Sequence, residues 1–235
     1  MMQHTNLSLV ASLVSDDSRG AMMTVLLDGR FHTATELALA ANITPQTASF
    51  HLTKMVEAHL VAVEKQGRHR YYGIVDSDVA NVLESLLAIA PPKEIHSFNQ
   101  ATEDHALRFA RTCYDHLAGH VGVQLMESLL QNQFIFETEN GFSITDKGER
   151  FFSDFQVNLE ELRKKRRSFS HKCLDWSERR PHLAGALGHA LLERFYQLHW
   201  IERLPRSRAL TITPLGKTGF RETFSMDVLA EKNKN

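Results

Sequence analysis

The stretch that decides the fold reads Thr44-Pro-Gln-Thr-Ala-Ser-Phe-His-Leu-Thr-Lys-Met55. Thr44 is a favourable N-cap residue, and Pro45 suits the first position of a helix. Three apolar residues recur at helical spacing and predict one narrow stripe facing a core, namely Ala48, Leu52 and Met55. The opposite side of this predicted helix carries short polar and basic side chains.

The flanking sequence predicts a second helix and a hairpin next to this one. A shorter helix is predicted before it in the chain, over about Thr35–Ala41. Asn42 forms a short polar break between this helix and the one that starts at Thr44. After residue 60 the apolar period changes to two, which predicts two short strands around a turn at Gly67. Helix, tight turn, helix and basic hairpin in this order are typical of a winged helix-turn-helix.

We expect this motif to bind double-stranded DNA. Base edges in the major groove offer donors and acceptors, which suits the polar face formed by Thr44, Gln46, Thr47, Ser49, His51 and Lys54. The hairpin tip would hold the phosphate backbone through Lys65, Arg68, His69 and Arg70. The chain has a net charge of −1, so any affinity for DNA must come from such a local patch.

Three segments matter here, namely Ser49-Phe-His-Leu52, Leu60-Val61 and Gly67-Arg-His-Arg-Tyr-Tyr72. Together they resemble the recognition helix and wing of ArsR-type bacterial regulators. The resemblance covers about residues 5–90. It implies a homodimeric repressor that leaves its operator when a small ligand, a metal or a thiol-directed signal arrives. Metal sensors of this family often carry Cys-x-Cys in the first helix of the turn. Glu36–Ala41 contains no cysteine, so thiolate sensing at that position is not expected.

Helices are also predicted on both sides of the motif. Two supporting helices precede it, one with Leu7, Val10, Ala11 and Val14 inward and one capped by Ser18. A third, capped by Asp76, follows the wing, and its apolar stripe contains Val79, Val82, Leu83, Leu86 and Leu87. In the resembled family the first helix and the post-wing helix pair across a two-fold axis. Alternatively, the stripe covers the core of a single chain.

The second half of the chain contains an internal repeat. Pro91-Pro92 ends the helical pattern, so we predict a DNA-binding and dimerisation domain at 1–90, a linker at 91–102 and an effector domain at 103–235. Within the last, His116-Leu-Ala-Gly119 recurs as His182-Leu-Ala-Gly185, and the copies cover about 116–155 and 182–224. Each copy predicts a helix, a two-stranded hairpin and a closing helix, capped by Thr145 or Thr213.

This pattern makes the predicted fold class mainly α with small β-hairpins (α+β). The copies form a pair of winged-helix-like units that either enclose a ligand cleft or serve only as a scaffold. Between them, Leu159–Ser168 predicts a helix with a strongly basic C-terminal half.

The candidate effector residues concentrate around the two cysteines, and they are Cys113, His116, Cys173, Asp175, Trp176 and His182. Arginines and histidines near each thiol would lower its pKa. Three interpretations stay open, namely buried structural cysteines, a thiol switch and a metal site. The last interpretation uses Glu103, His105, His116 and His120 on one helix, and it resembles the helical metal site of some family members. Gly119 occupies the position expected for the last ligand. Beyond this possible metal ion, no cofactor is predicted.

Bulk composition and the absence of known motifs exclude several classes of protein. The two cysteines do not form a secreted disulfide framework, the N-terminus lacks a signal-peptide pattern, and no run approaches the ~20 apolar residues of a membrane span. We therefore expect a cytoplasmic protein. No nucleotide-binding, nucleophile-elbow or metalloprotease motif occurs, so we do not expect an enzyme.

The sequence thus favours a DNA-binding transcriptional repressor that is released from its operator by an effector sensed in the C-terminal domain. One alternative is a metal- or thiol-responsive sensor that uses Cys113, His116 and Cys173. The other is a winged-helix protein-interaction module that does not bind DNA.

Overall fold

A computed structural model describes residues 6–91, 94–139 and 141–228. The chain forms two compact units, one up to Glu84 and the other from Ser85 on. This division falls inside a helix, whereas the sequence placed the boundary after residue 90. No helix among the described residues is long and apolar enough to span a bilayer.

The first unit is a winged helix-turn-helix, as predicted. Its elements are α1 (Leu7–Val14), α2 (Asp17–Leu26), β1 (His32–Thr33), α3 (Ala34–Ala40), α4 (Pro45–Glu57), β2 (Val61–Gln66) and β3 (His69–Ile74), followed by α5 (Ser77–Ile89), which crosses the division. The three strands form one antiparallel sheet in the order β1-β3-β2. The wing is therefore the β2–β3 hairpin, with its turn at Gly67.

Local capping explains where the helices of the motif begin. The Thr44 hydroxyl accepts a hydrogen bond from the Thr47 backbone N–H at 3.2 Å, which confirms the predicted start of α4. Helix α3 begins slightly earlier than predicted because Thr33 and Glu36 form a capping box. Ala48, Leu52 and Met55 are all buried, so α4 packs on the core through the predicted stripe.

Two details of the supporting helices were predicted wrongly. Asp16, rather than Ser18, caps α2, because its carboxylate accepts a hydrogen bond from the Arg19 N–H at 2.9 Å. In α1 only Leu13 is buried, and Leu7 lies on the exposed side. The predicted cap of α5 is confirmed, since Asp76 accepts hydrogen bonds from the next turn.

Among its described residues, the second unit consists of helices and four antiparallel hairpins. Its elements are α6 (Phe98–Phe109), β4 (Arg111–Cys113), β5 (His116–Ala118), α7 (Gly119–Gln131), β6 (Ile135–Thr138), β7 (Gly141–Ile144), α8 (Asp146–Asp154), α9 (Leu159–Arg163), β8 (His171–Leu174), β9 (Pro181–Ala184), α10 (Gly185–Gln197), β10 (Ile201–Arg203), β11 (Leu210–Ile212) and α11 (Pro214–Phe224). The hairpins pair β4 with β5, β6 with β7, β8 with β9 and β10 with β11. This architecture confirms the predicted fold class.

Each copy of the repeat has the predicted helix, hairpin and closing helix. Copy one runs through α7, β6, β7 and α8, and copy two through α10, β10, β11 and α11. Thr145 and Thr213 cap the closing helices by accepting hydrogen bonds, each of 2.9 Å, from the N–H groups of Gly148 and Gly216. The structure also adds a leading hairpin to each copy, β4–β5 and β8–β9, which the sequence analysis did not assign.

Aromatic side chains fill the core of this unit. Phe152, Phe195, Phe220 and Phe224 are each fully buried. The Phe195 and Trp200 rings stack with centroids 5.7 Å apart, and Phe220 lies 4.8 Å from Phe195. Such rings each remove a large apolar area from water, so this cluster stabilises the contact between α10 and α11.

Two predicted segments differ from the structure. Residues 98–102 of the predicted linker belong to α6, because Ser97 caps that helix by accepting a hydrogen bond from the Gln100 N–H. The basic segment is helical only as far as Arg163, the last residue of α9. On a further turn of helix Arg163 and Arg167 would stand as a like-charge pair four residues apart, and Arg167 instead forms an ion pair with Asp115.

We predict that Gly148→Ala and Gly216→Ala both destabilise the second unit. An added Cβ would lie 2.0 Å from the Phe134 carbonyl oxygen at the first position and 2.0 Å from that of Trp200 at the second. Because backbone atoms must then shift, we expect a loss of about 1–3 kcal/mol in the free energy of unfolding, measured by urea denaturation.

Gly20→Ala is the matched control, because its Cβ would meet nothing nearer than the Val14 carbonyl oxygen at 3.9 Å. An interior helical glycine replaced by alanine should gain about 0.5–1 kcal/mol. Equal stability of all three variants would contradict the packing described for the two copies.

Candidate functional site

The outer side of α4 is open to solvent. Among the predicted groove-binding residues, Thr44, Gln46, Thr47, Ser49 and Lys54 are exposed and His51 is half-buried. Two of the hydroxyls are already engaged, since Thr44 caps the helix and Ser49 donates to the Pro45 carbonyl oxygen at 2.8 Å. These hydroxyls retain lone pairs, so the face still offers acceptors as well as donors.

His51 is oriented by a contact from α2. Its Nδ1 lies 3.1 Å from Nη1 of Arg19. The Nε of the same guanidinium donates to the Leu13 carbonyl oxygen. A guanidinium can only donate, so Nδ1 must accept, and in the neutral ring the proton lies on Nε2. The imidazole therefore has a donor available on its other nitrogen, which suits an acceptor on a base edge.

The wing places its predicted basic residues together at one end. Lys65 lies opposite Arg70, and Gln66 lies opposite His69, across the β2–β3 ladder. Gly67 has a φ of +60°, a conformation that favours glycine, and Arg68 follows it at the turn. Lys65, Arg68, His69 and Arg70 are all exposed, so the tip is a compact cationic surface.

Phe50 is a feature of α4 that the sequence analysis did not use. Its side chain is 59% exposed, and the Lys54 ammonium lies 4.4 Å from the ring centroid. A cation over an aromatic ring is attracted by its π face. Phe50 lies outside the apolar stripe, and this position was the signal in the sequence that could have identified it. An exposed ring on this face suits contact with a thymine methyl group.

The apolar stripe of α5 is divided between core and solvent. Leu83 is buried, whereas Val82, Leu86 and Ile89 are 57%, 41% and 78% exposed. Leu7 on α1 is 79% exposed. Part of the predicted α5 stripe therefore covers the core, and the remainder is exposed to solvent.

The second unit brings together four side chains that could hold a metal ion, Cys113, His116, Cys173 and His182. Their ligand atoms all lie within 4.8 Å of one another. The two sulfur atoms are 3.7 Å apart, and the Nε2 atoms of the two histidines are 3.1 Å apart. Three of these residues are buried and Cys173 is half-buried. We call this group the Cys–His cluster.

The cluster is built by equivalent strand positions in the two copies. Cys113 lies opposite His116 across the β4–β5 ladder, and Cys173 lies opposite His182 across β8–β9. The expectation that His116 shares one helix with Glu103, His105 and His120 is therefore wrong, because His116 lies on β5. Three-residue strands are too short to show alternation in the sequence, and this explains the error.

The helical metal set predicted from the sequence does not assemble among the described residues. His105 is exposed on α6, and His120 lies 3.3 Å from a carboxylate oxygen of Glu178. Neither belongs to the Cys–His cluster, and of that set only His116 does. Gly119 begins α7 in a left-handed conformation, so the chain turns sharply between His116 and the helix.

Each histidine of the cluster has a carboxylate on its far side. Nδ1 of His116 lies 3.3 Å from Asp115, and Nδ1 of His182 lies 3.3 Å from Asp175. Burial alone would lower the pKa of His116, but Cys113 and Asp115 beside it outweigh burial and raise that pKa to about 10.

The two carboxylates are held in their charged form. Burial alone would raise the pKa of each, but hydrogen bonds from His116 and Arg167 hold the pKa of Asp115 well below its usual range. For Asp175, the hydrogen bond with His182 and the charge of Arg111 do the same. Both Nδ1 atoms therefore face anions, and both Nε2 atoms face the centre of the cluster.

Asp175 and Trp176, two predicted effector residues, lie beside the cluster and are not part of it. Asp175 is fully buried and accepts hydrogen bonds from the Gly119 N–H at 2.7 Å and from Arg111 at 2.9 Å. The Trp176 ring lies 4.3 Å from the guanidinium carbon of Arg111. This network joins the β8–β9 loop of one copy to the start of α7 in the other.

The two copies approach each other closely at the cluster. A Cβ added to Gly122 on α7 would lie 3.6 Å from the His182 Cβ, and one added to Gly188 on α10 would lie 3.2 Å from the His116 Cβ. Each copy therefore contributes a histidine that packs against a glycine of the other copy's helix. At the cluster, the two copies therefore meet in a buried junction.

The chain is similar to a known protein of the helix-turn-helix type. No protein-family model matches the chain. A Bacillus subtilis (strain 168) protein named "Uncharacterized HTH-type transcriptional regulator YdfF" is 51% identical over 223 residues, which cover 95% of this chain and 99% of that protein.

Two solved structures are similar over a smaller part of the chain. The cadmium sensor CmtR from Mycobacterium tuberculosis is 24% identical with a TM-score of 0.31, and covers 39% of this chain and 99% of its own. The homodimeric DNA-binding domain Mb0332 from Mycobacterium bovis, described as a possible ArsR-family regulator, is 19% identical with a TM-score of 0.33, and covers 41% of this chain and all of its own. From the similarity to the Bacillus subtilis protein, which spans nearly the whole of both chains, the chain belongs to the helix-turn-helix-type transcriptional regulators.

Proposed function

We propose that the chain is a homodimeric repressor that binds a palindromic operator and responds to an effector through its second unit. The observation that carries this proposal is the combination of an exposed polar face on α4 with a cationic wing tip. The helix can enter the major groove while the wing contacts phosphates beside it. Because the net charge of the chain is −1, this local surface must supply the attraction to DNA.

Dimerisation is supported by exposed apolar side chains on α1 and on α5. Val82, Leu86, Ile89 and Leu7 are exposed in the single chain, and a second copy would remove them from water. Two-fold pairing places two recognition helices about one DNA turn, ~34 Å, apart, which fits a palindrome. This is also the arrangement that the ArsR resemblance implies.

A hydrogen bond suggests how the second unit could influence that arrangement. Arg179, in the loop between β8 and β9, donates to the Ala88 carbonyl oxygen near the end of α5 at 2.6 Å. The same loop contains Asp175, which faces a histidine of the Cys–His cluster. A change at the cluster would thus reach the helix that carries the proposed dimer surface. Release of DNA would follow if the effector favours a different spacing of the recognition helices.

A protein-interaction module without DNA binding is the second candidate, since winged helices also offer exposed hairpins. The exposed Phe50 on α4 is the observation that favours it, because an aromatic ring can anchor a protein partner. Binding to the DNA upstream of the chain's own gene separates the two candidates.

We predict that Arg68→Ala with Arg70→Ala weakens binding to operator and to unrelated DNA by similar factors. Each lost phosphate contact should also reduce the slope of log affinity against log salt by about 0.9. Gel-shift or fluorescence titrations over a range of salt concentrations measure both effects.

The matched control for the wing variant is Arg206→Ala, which removes the same charge from an exposed site between β10 and β11 in the second unit. It should leave both affinity and salt slope unchanged. Wild-type affinity in the double wing variant would remove the wing from the proposed interface.

We predict that Leu86→Glu converts the dimer to a monomer, because a charge would have to be buried at the interface. Sedimentation velocity measures the mass, and the DNA affinity should fall with it. Leu215→Glu is the control, since Leu215 is 58% exposed on α11, outside both proposed dimer helices. A Leu86→Glu variant that remains dimeric would show that the exposed face of α5 is not the interface.

A further inference from the structure

The Cys–His cluster is a closed set of four metal-ligand side chains. We propose that Cys113, His116, Cys173 and His182 bind one zinc ion in tetrahedral geometry at the junction of the two copies. This inference deepens the proposed function and rests on it for its regulatory meaning, while metal binding itself is measurable without DNA.

The spacing of the ligand atoms fits such an ion. Zinc bonds of about 2.3 Å to sulfur and about 2.0–2.1 Å to nitrogen give tetrahedral edges of ~3.8 Å between sulfurs and ~3.3 Å between nitrogens. The cysteine sulfurs are 3.7 Å apart and the histidine Nε2 atoms are 3.1 Å apart. Sulfur and nitrogen must stand ~3.6 Å apart in the same geometry. All the ligand atoms lie within 4.8 Å of one another, so any closure needed is small.

The chemistry of the donors also selects zinc. Two thiolates and two imidazoles are a typical set for structural zinc, whereas carboxylate and carbonyl oxygens suit magnesium or calcium. Two thiolates balance the double positive charge of the ion, so the loaded site is neutral. Neutrality matters here because three of the four ligands are buried. Binding would release the protons that these side chains carry in the empty site.

The surroundings of the histidines supply the orientation that a metal site needs. A zinc-bound imidazole commonly donates its other N–H to a carboxylate, which fixes the ring. Asp115 and Asp175 occupy that position, each 3.3 Å from the Nδ1 of one histidine. Arg167 and Arg111 in turn pair with these carboxylates. Each histidine thus has a carboxylate beside its Nδ1, although only the His116 Nδ1 makes a hydrogen bond of regular geometry with it.

Because the ligands come from both copies of the repeat, an ion at this site would connect the two copies. Cys113 and Cys173 are separated by 60 positions, and His116 and His182 by 66, so each copy contributes one thiol and one imidazole. An ion bound by all four would cross-link the copies through their leading hairpins. The β8–β9 loop, which reaches α5 through Arg179, would be fixed at the same time.

A disulfide between the cysteines is the competing outcome. Bonded sulfurs stand about 2.05 Å apart, which would require them to approach further from 3.7 Å. A disulfide would also leave the two Nε2 atoms converging without a bound group. The convergence of both histidines on the thiols is the feature that favours a metal.

The test uses the full chain, purified under a phosphine reductant, stripped with a chelator and titrated with Co²⁺ and then Zn²⁺. We expect one ion per chain by elemental analysis. Co²⁺ should produce thiolate charge-transfer bands and the intense visible absorption of a tetrahedral site, and Zn²⁺ should abolish them. An absent tetrahedral spectrum, or an intact mass lower by two hydrogens in protein purified without reductant that returns on reduction, would overturn the proposal.

Variants keep the test independent of folding. Removing a residue that only hydrogen-bonds to a metal ligand typically costs about 10–100-fold in metal affinity. Cys113→Ser and Cys173→Ser remove a ligand itself, so each should reduce zinc affinity by more than that. Cys173 is only half-buried, so its variant guards against misfolding of the Cys113 variant. His105→Ala, on the exposed side of α6, is the matched control and should bind metal as the wild type does. Loss of binding in that control but not in the cysteine variants would also overturn the site.

DNA titrations with empty and zinc-loaded protein separate this inference from the proposed function. Operator binding without any tetrahedral metal spectrum contradicts the zinc site and leaves the repressor proposal standing. Tight zinc binding by a chain that does not bind DNA contradicts the repressor proposal and leaves the zinc site standing.

Discussion

The DNA-binding half depends on how little of α4 is buried. Ala48, Leu52 and Met55 attach the helix to the core along one narrow edge, and each is fully buried. Truncating a buried leucine typically costs about 2–5 kcal/mol, so this edge fixes the helix firmly. Because packing uses only that edge, the remaining surface is free to carry polar groups and the exposed Phe50. A wider apolar stripe would have buried the surface that we propose for contact with base pairs.

The second unit depends on a different constraint, the close approach of its two copies. Gly122 and Gly188 leave room for a histidine of the opposite copy, which brings both thiols and both imidazoles to one point. The charged pairs behind the histidines, Asp115 with Arg167 and Asp175 with Arg111, hold them there. The chain therefore joins a DNA-binding motif to a buried junction whose geometry a bound ion would change.

The first unit was predictable because its signals are local. The α4 stripe recurs at helical spacing, Thr44 and Pro45 mark its start, and Gly67 marks the wing turn. The repeat was visible for the same reason, since Thr145 and Thr213 cap equivalent helices. The Cys–His cluster was not predictable in detail, because its halves lie about sixty positions apart on strands of three or four residues. The repeated His-Leu-Ala-Gly matches His116 with His182, and the Cys-x-Asp pattern matches Cys113 with Cys173, but neither pattern shows that the two segments meet.

The central claim is that a two-fold pair of α4 helices binds one face of a DNA duplex. Hydroxyl-radical footprinting on the DNA upstream of the chain's own gene tests it most directly. We expect two protected half-sites with centres about one helical turn, ~34 Å, apart on one face of the duplex, related by an approximate palindrome. A single unpaired patch of protection, or no protection at concentrations where the protein is folded and dimeric, would contradict it.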